Sequence, residues 1–359
     1  MNSKVERNLF LDQKENITFR DVSLVEGKSI VSSRSEVDLE VELPKGKSLS
    51  FPVMTASMDT ITSPEMAKAF LKMGGAIVNH RYSSAGERIS LLEEGEKFRE
   101  DDSGLNGVAV GYRDTKSDIE KFIEAGADLV SLDLAHAWHE NTANWIKKRK
   151  NLFENTLLMI GNFSHTHGIK WLHERVGDIV DIVKVSQGGG SACTTREKAG
   201  IGKPTLQAVM DYTKEKTTSE LNYRVVADGG IRHPGDIAKS IGAGACAGMI
   251  GGMISGTSEC PGKVIEEDGR KYKEYRGMAS KEAKSEGGVN TNHIEGVSTK
   301  VPFKGSVEDI LKDIQDGLKS SISTCGFDHI SDFQREAKFI RLSRSSQIES
   351  TPHKLRSNS

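Results

Sequence analysis

Cysteine is scarce in this chain. Four stand in 359 residues, and Cys193, Cys246, Cys260 and Cys325 form no C-x-x-C pair and keep no regular spacing. That excludes a disulfide framework or a zinc ribbon and points to a reducing compartment. Long apolar runs are lacking too: none nears the roughly 20 residues needed to span a bilayer. The opening stretch, Met1 to Gln13, is polar and has no signal-peptide apolar region. The expectation is a cytoplasmic protein with no membrane partner. Nor is there an excess of one charge. A net charge of -2 gives no electrostatic footprint for nucleic acid. Aromatics are few. Glycine is plentiful, and its clusters fall where the chain's apolar runs end.

Eight short apolar runs set the rhythm: Phe51–Met54, Ala76–Asn79, Val108–Gly111, Leu129–Asp133, Leu157–Gly161, Ile182–Val185, Val225–Asp228 and Ala247–Gly251. Between them lie amphipathic stretches such as Ser63–Met73, Lys116–Ala125, Ala143–Leu152, Lys203–Lys214 and Pro234–Gly242. Ser63-Pro64 and His233-Pro234 place proline where a first helical turn tolerates it. Eight strands alternating with helices predict an α/β fold, a (β/α)₈ TIM barrel, over residues 51–342. An open doubly wound sheet is the rival. It usually carries a nucleotide loop after its first strand, whereas the glycine-rich loops here follow runs six, seven and eight.

Residues 1–50 read as an N-terminal extension. Phe19 to Val25 is a weak extended segment, Val37 to Leu43 alternates apolar and acidic, and Pro44-Lys45-Gly46-Lys47 makes a turn. An insertion, 257–305, follows the eighth run. Its first part reads as a hairpin, Lys263–Glu266 with Lys271–Tyr275. Its second, Met278 to Val297, is polar and aperiodic and is read as an active-site lid. Ser306–Ser320 is an amphipathic helix. Residues 343–359 are basic and serine-rich and read as a disordered tail.

Barrel chemistry sits at the C-terminal ends of strands. Those ends here bring Asp59, His80-Arg81, Asp133, Gly161-Asn162, Asp228-Gly229-Gly230 and Gly251-Gly252. Loops seven and eight are the usual phosphate-binding pair, so position alone suggests a phosphate-bearing substrate. After run six comes Ser186-Gln187-Gly188-Gly189-Gly190-Ser191-Ala192-Cys193-Thr194-Thr195-Arg196. Three glycines let the backbone turn sharply and approach a ligand. Hydroxyls and a cation beside Cys193 favour the reactive thiolate. The same stretch also reads as a flexible loop with a small core cysteine. His136, His139, His165 and His167 admit a zinc reading, but no carboxylate–histidine motif accompanies them.

Several motifs then point one way. They are Met58-Asp59-Thr60, Ser191-Ala192-Cys193-Thr194-Thr195-Arg196, Asp228-Gly229-Gly230-Ile231-Arg232 with Pro234-Gly235-Asp236, Gly251-Gly252-Met253 with Gly256, Tyr275-Arg276-Gly277-Met278, and Val301-Pro302-Phe303-Lys304-Gly305. Together they resemble the IMP dehydrogenase/GMP reductase family from about Phe19 to Leu342. Within it the chain is more similar to GMP reductase. It lacks the regulatory insert after the second strand, its lid is short, and no Arg-Tyr pair lies between Met278 and Val301. Ile294-Glu295-Gly296 stands where reductases have their catalytic glutamate.

The resemblance implies NADPH-dependent reductive deamination of GMP, or a related guanine nucleotide such as dGMP, to IMP and ammonia. Cys193, Thr195 and Glu295 are the implied catalytic residues, with a covalent Cys193 thioimidate. Ser191, Asp228, Gly229, Gly230, Gly251, Gly252, Arg276, Gly277 and Met278 are implied to hold the nucleotide. Ser33, Arg34, His80, Asp133, Leu134 and Ala135 are implied at the cofactor. Ser186, Gly188 and Cys193 are implied to bind a monovalent cation, K⁺, through backbone carbonyls, and the assembly is implied to be a homotetramer. The chain departs from the family pattern at Ser186-Gln187-Gly188-Gly189-Gly190, where Gly-Ile-Gly-Pro-Gly is usual. His80 replaces a common lysine, and His136-Ala137 replaces Asn-Gly. The alternatives are a compact IMP dehydrogenase, turning IMP to XMP with NAD, and a non-catalytic purine nucleotide-binding protein.

Overall fold

The computed structural model describes residues 15–99, 103–288 and 294–350. The apolar runs become β4 (Val53–Thr55), β5 (Ala76–Asn79), β6 (Leu105–Val110), β7 (Leu129–Asp133), β8 (Leu157–Phe163), β9 (Ile182–Val185), β10 (Arg224–Asp228) and β11 (Ala247–Ile250). Every residue of β5, β6 and β9 is buried, as a strand covered on both faces must be. Neighbours pair in parallel all the way round, from β4 to β11 and back to β4, closing the barrel. The fold is the TIM barrel that the strand count predicts.

The helices outside the barrel are α1 (Pro64–Lys72), α2 (Ala85–Glu96), α3 (Lys116–Glu124), α4 (Glu140–Lys147), α5 (His167–Val176), α7 (Thr205–Thr218), α8 (Pro234–Gly242) and α10 (Val307–Thr324). A short α6 (Thr195–Lys198) interrupts the loop after β9. Local chemistry fixes their starts. Ser63 caps α1 ahead of Pro64, and Ser84 with Glu87 and Thr115 with Asp118 form capping boxes on α2 and α3. Helices α2 and α5 are not among the stretches picked out by pattern. In α2 only Arg88, Leu92 and Gly95 are buried, so its apolar stripe is thin. Helix α10 packs on α8 and α1 and completes the ring. The whole insertion therefore lies between the eighth strand and the eighth helix, at the C-terminal mouth.

That insertion is more regular than its sequence suggests. Strands β12 (Ile265–Glu267) and β13 (Arg270–Arg276) form the expected hairpin, and β14 (Ser298–Pro302) adds a third antiparallel strand. The segment read as aperiodic contains a short helix, α9 (Lys281–Glu286). Lys273, 2% exposed, donates its ammonium to the carbonyls of Thr257, Ser258 and Cys260 and pins this sheet to the loop after β11.

Residues 37–49 of the N-terminal extension run under the opposite end. The 37–43 alternation survives as burial, with Val37, Leu39, Val41 and Leu43 inward, but only Val41–Glu42 (β2) is a strand, paired with Ser48–Leu49 (β3). At the turn between them Lys45 adopts φ 61°. Its ammonium meets Asp181 at 2.5 Å, and Lys47 meets Asp128 at 2.5 Å. Both acids immediately precede barrel strands. Val22–Leu24 (β1) pairs with Phe339–Arg341 (β15), which follows α11 (Ile330–Glu336). The tail expected to be disordered from 343 instead begins with a helix, α12 (Arg344–Glu349), capped by Ser343 and tied to Asp21 through Gln347. Residues 351–359 lie outside the described residues. Among those described, no helix is long and apolar enough to cross a membrane.

Candidate active site

Strand β9 delivers the cysteine loop to the mouth. Ser186 leaves the strand at φ 113°, and Gly188 follows at φ 74°. Three loops then converge. A Cβ on Gly229 would lie 2.8 Å from the Gly190 nitrogen, and one on Gly252 would lie 2.7 Å from Ser191 Oγ. Glycine at these positions lets the loops after β9, β10 and β11 touch. Of the four cysteines only Cys193 escapes full burial. Burial pushes the Cys246 thiol up to about 12 and raises Cys325 as well. Cys193 is not a core cysteine; it stands partly exposed at the mouth.

Beside that sulfur is a chain of three groups. Cys193 Sγ lies 3.1 Å from Thr195 Oγ1, and Thr195 Oγ1 donates to Glu295 Oε2 at 2.7 Å. Glu295 comes from a segment a hundred residues away, but main-chain bonds hold it there. Thr194 N–H donates to the Glu295 carbonyl, Val297 N–H to Ala192, and Glu295 N–H to Ala279. Cys193 and Gly296 form a β-bridge. The returning insertion thus runs as a strip along the cysteine loop, so Glu295 is fixed relative to Cys193 by backbone as well as side chain.

At the proposed phosphate end, Ser191 Oγ and Tyr275 OH are 3.0 Å apart, beside Gly251 and Gly252. Tyr275 is 5% exposed, and burial raises its hydroxyl pKa. It belongs to one of the family motifs, yet is not among the expected site residues. The available signal is its place on the inward alternation of β13 with Lys273. Gly277 backs onto the Ala192 carbonyl, and Met278 follows half-buried.

Arg276, expected among the nucleotide ligands, pairs with Asp59. Its Nε and Nη2 both donate to Asp59 Oδ2, at 2.9 and 2.6 Å, and both side chains are about nine-tenths buried. This pair fastens the insertion to the loop after β4.

Asp228 and Asp133 are brought together by a residue that pattern reading passes over. Lys184 lies on β9, 3% exposed, with Nζ 2.5 Å from Asp133 Oδ1 and 3.5 Å from Asp228 Oδ2. Ser57 Oγ donates to the other Asp133 oxygen, and Asn162 Nδ2 donates to Asp228 Oδ2 at 2.7 Å. Burial alone would raise the Asp133 carboxyl, but Lys184, Arg81 and Ser57 outweigh it and the net shift is downward. Burial likewise opposes the Lys184 charge, and the two carboxylates outweigh it upward. One signal is present: a lysine inside a run of otherwise apolar residues.

The other expected cofactor residues divide. His80 stands at the end of β5, accepts from Tyr82 N–H, and has its pKa lowered by burial, against the pull of Asp59. Leu134 and Ala135 follow Asp133, and Gln187 of the cysteine loop donates to the Ala135 carbonyl at 2.7 Å. These residues share the mouth. Ser33 and Arg34 do not join them. They form the start of a 3₁₀ turn, Arg34–Glu36, packed on α10 near Lys319.

Ser186, expected at the cation site, has its carbonyl accepting from Asn162 Nδ2 and its hydroxyl from Thr205. Among the described residues no group of three His, Cys, Asp or Glu side chains is placed to hold a metal. His165 and His167 pack ring to ring, with Trp138 on His167.

Fold and site together define a TIM-barrel protein with a partly exposed thiol and a hydroxyl–carboxylate pair at its C-terminal mouth. The IMP dehydrogenase / GMP reductase domain model matches residues 16–353, and the chain belongs to that family of oxidoreductases. It is 34% identical to human GMP reductase 2, covering 93% of this chain and 96% of the relative. It is 35% identical to rat GMP reductase 1, covering 93% and 97%. To the inosine-5'-monophosphate dehydrogenase of Nitrosopumilus maritimus it is 29% identical, covering 96% and 99%. The fold is shared with a crystal structure of a GMP reductase variant from Trypanosoma brucei in complex with guanosine 5'-monophosphate. That match has a TM-score of 0.86 at 24% identity and covers 96% of this chain and 98% of that one.

Proposed function

We propose that the chain is a GMP reductase, converting GMP or a close guanine nucleotide to IMP and ammonia with NADPH. The Cys193–Thr195–Glu295 chain of contacts carries this reading. Its geometry suits proton traffic in both directions. The thiol gives its proton through Thr195 towards Glu295 as sulfur adds to C2 of the purine. The same proton goes back to the amino group, which leaves as ammonia. A thioimidate on Cys193 remains. A nicotinamide cofactor, when bound, supplies hydride to C2. The sulfur then departs with its bonding electrons, regenerating thiolate and releasing IMP.

The nucleotide would lie across the converged loops. Its phosphate would meet Ser191, Tyr275 and the backbone of Gly230, Gly251 and Gly252, and its ribose hydroxyls would meet Asp228, with Gly229 allowing close approach. Met278 would lie along the base. The cofactor would approach from Asp133, Leu134, Ala135 and His80, which are partly exposed. Ser33 and Arg34 lie elsewhere, so any role with cofactor would be exercised on a second copy of the chain. That accords with a homotetramer. The insertion that carries Glu295 is read as the lid.

The test is direct. Purified protein given GMP and NADPH should consume NADPH and release ammonia. Turnover with IMP and NAD alone would establish the dehydrogenase instead.

A further inference from the structure

We infer that Lys184 is a positioning residue whose single buried ammonium serves both ligand sites, holding Asp133 aimed at the cofactor side and Asp228 at the nucleotide side. The inference rests on the function proposed above. Lys184 belongs to neither site: it is enclosed in the barrel wall, 3% exposed, and reaches the mouth only through its two carboxylates. Strand β8 approaches it so closely that a Cβ on Gly161 would lie 2.5 Å from Lys184 Cβ, so its stem is confined.

Charge makes the sharing consequential. Asp133, on β7, and Asp228, on β10, flank β8 and β9, and both are largely enclosed. Two carboxylates at such a site repel each other unless a cation lies between them. Lys184 lies there. Asn162 then takes Asp228 Oδ2, while Asp228 Oδ1 accepts no hydrogen bond among the described residues. On the other side Ser57 and Lys184 hold the two Asp133 oxygens. Asp133 is thus held at both oxygens, and Asp228 at one, leaving its Oδ1 for a ligand. Removing the ammonium releases both acids at once, although they would contact different ligands.

The test uses Lys184→Met, which keeps the stem and removes the charge, and the charge-balanced double variant Lys184→Met with Asp133→Asn. Affinity for GMP and for NADPH is measured separately by calorimetry on protein whose fold is checked by circular dichroism. The expectation for Lys184→Met is a loss of about tenfold or more in affinity for both ligands, the scale of a lost charge-assisted bond. The double variant should regain GMP affinity to within about threefold, because Asp228 no longer faces an unpaired neighbour, and stay weak for NADPH. A folded Lys184→Met protein that binds both ligands as wild type does, or that loses only one, overturns the inference. So does a folded double variant that fails to regain GMP. If the single variant does not fold, the double variant decides alone. Wild-type protein that binds neither GMP nor NADPH would instead overturn the proposed function, a separate outcome.

Discussion

At the scale of single residues, the arrangement around Cys193 separates binding from chemistry. On the proposed function, the sulfur forms a bond to the substrate, whereas Ser191, Tyr275 and Asp228 hold it. Cys193→Ser should therefore abolish turnover and leave the Kd for GMP nearly unchanged. Equal loss of binding and turnover would mean the cysteine only shapes the loop. Thr195→Ala breaks the link between Sγ and Glu295 and should lower kcat by about a hundredfold, the usual scale of positioned proton transfer, with little change in KM. His80 makes a pH prediction. Burial depresses its pKa below the ordinary 6.5, so the unfolded chain binds this proton more readily than the folded one. Its contribution is fully present above pH 6.5 and is lost as pH falls through the depressed value. Replacing it by asparagine should flatten the decline in melting temperature on the acid side and leave the neutral plateau alone. An unchanged acid limb would show that His80 titrates normally.

At the scale of elements, strands are most legible in the sequence where they are short, apolar and bounded. Ala76–Asn79, Leu129–Asp133 and Ile182–Val185 stand at their expected limits. Least is legible where long-range pairing makes the structure. Strand β14 exists because β13 offers it an edge, and its own residues Ser298–Pro302 are mostly exposed and carry no period. The helix α2 is hidden by a thin apolar stripe. The site divides the same way. Cys193 and Thr195 sit in one motif and are legible, and Glu295 needs a second motif. Lys184 needs the barrel to reveal what faces it. The motif does not reveal that Arg276 is paired with Asp59, which lies 217 residues away. The Arg276–Asp59 pair gives a prediction that separates a fastening role from a nucleotide contact. Arg276→Met leaves Asp59 buried without its cation and should destabilise the protein by about 3 kcal/mol. Arg276→Met with Asp59→Asn should recover much of that loss. If Arg276 instead contacted phosphate, the single variant would raise KM for the nucleotide without changing stability. Denaturant melts read beside steady-state kinetics distinguish the two.

At the scale of the whole molecule, the two ends of the barrel have different work. All the chemistry-bearing groups lie at the C-terminal mouth, while the N-terminal extension closes the far end with Leu39, Val41, Leu43 and Leu49 and two lysines. Far-end contacts in such a barrel belong to stability rather than catalysis. Lys45 is the sharpest case. Its ammonium reaches Asp181 and the Thr156 carbonyl, at the bases of β9 and β8. Burial pushes the Asp181 carboxyl up, against the bond from Leu158 N–H and the pull of Lys45. Lys45→Met removes that pull, leaves a buried carboxylate at neutral pH, and should cost about 3 kcal/mol there. The sign of the pH effect follows from the upward shift. A folded state whose carboxyl pKa is raised binds its proton more tightly than the unfolded chain, so stability rises as pH falls through that value. The gap between variant and wild type should therefore narrow on acidification as Asp181 becomes neutral, although the lost bond to Thr156 keeps it from closing. Throughout, kcat should stay within about twofold of wild type, since the perturbed pair is a full barrel length from Cys193. A large fall in kcat with unchanged stability would mean that the two ends are mechanically coupled.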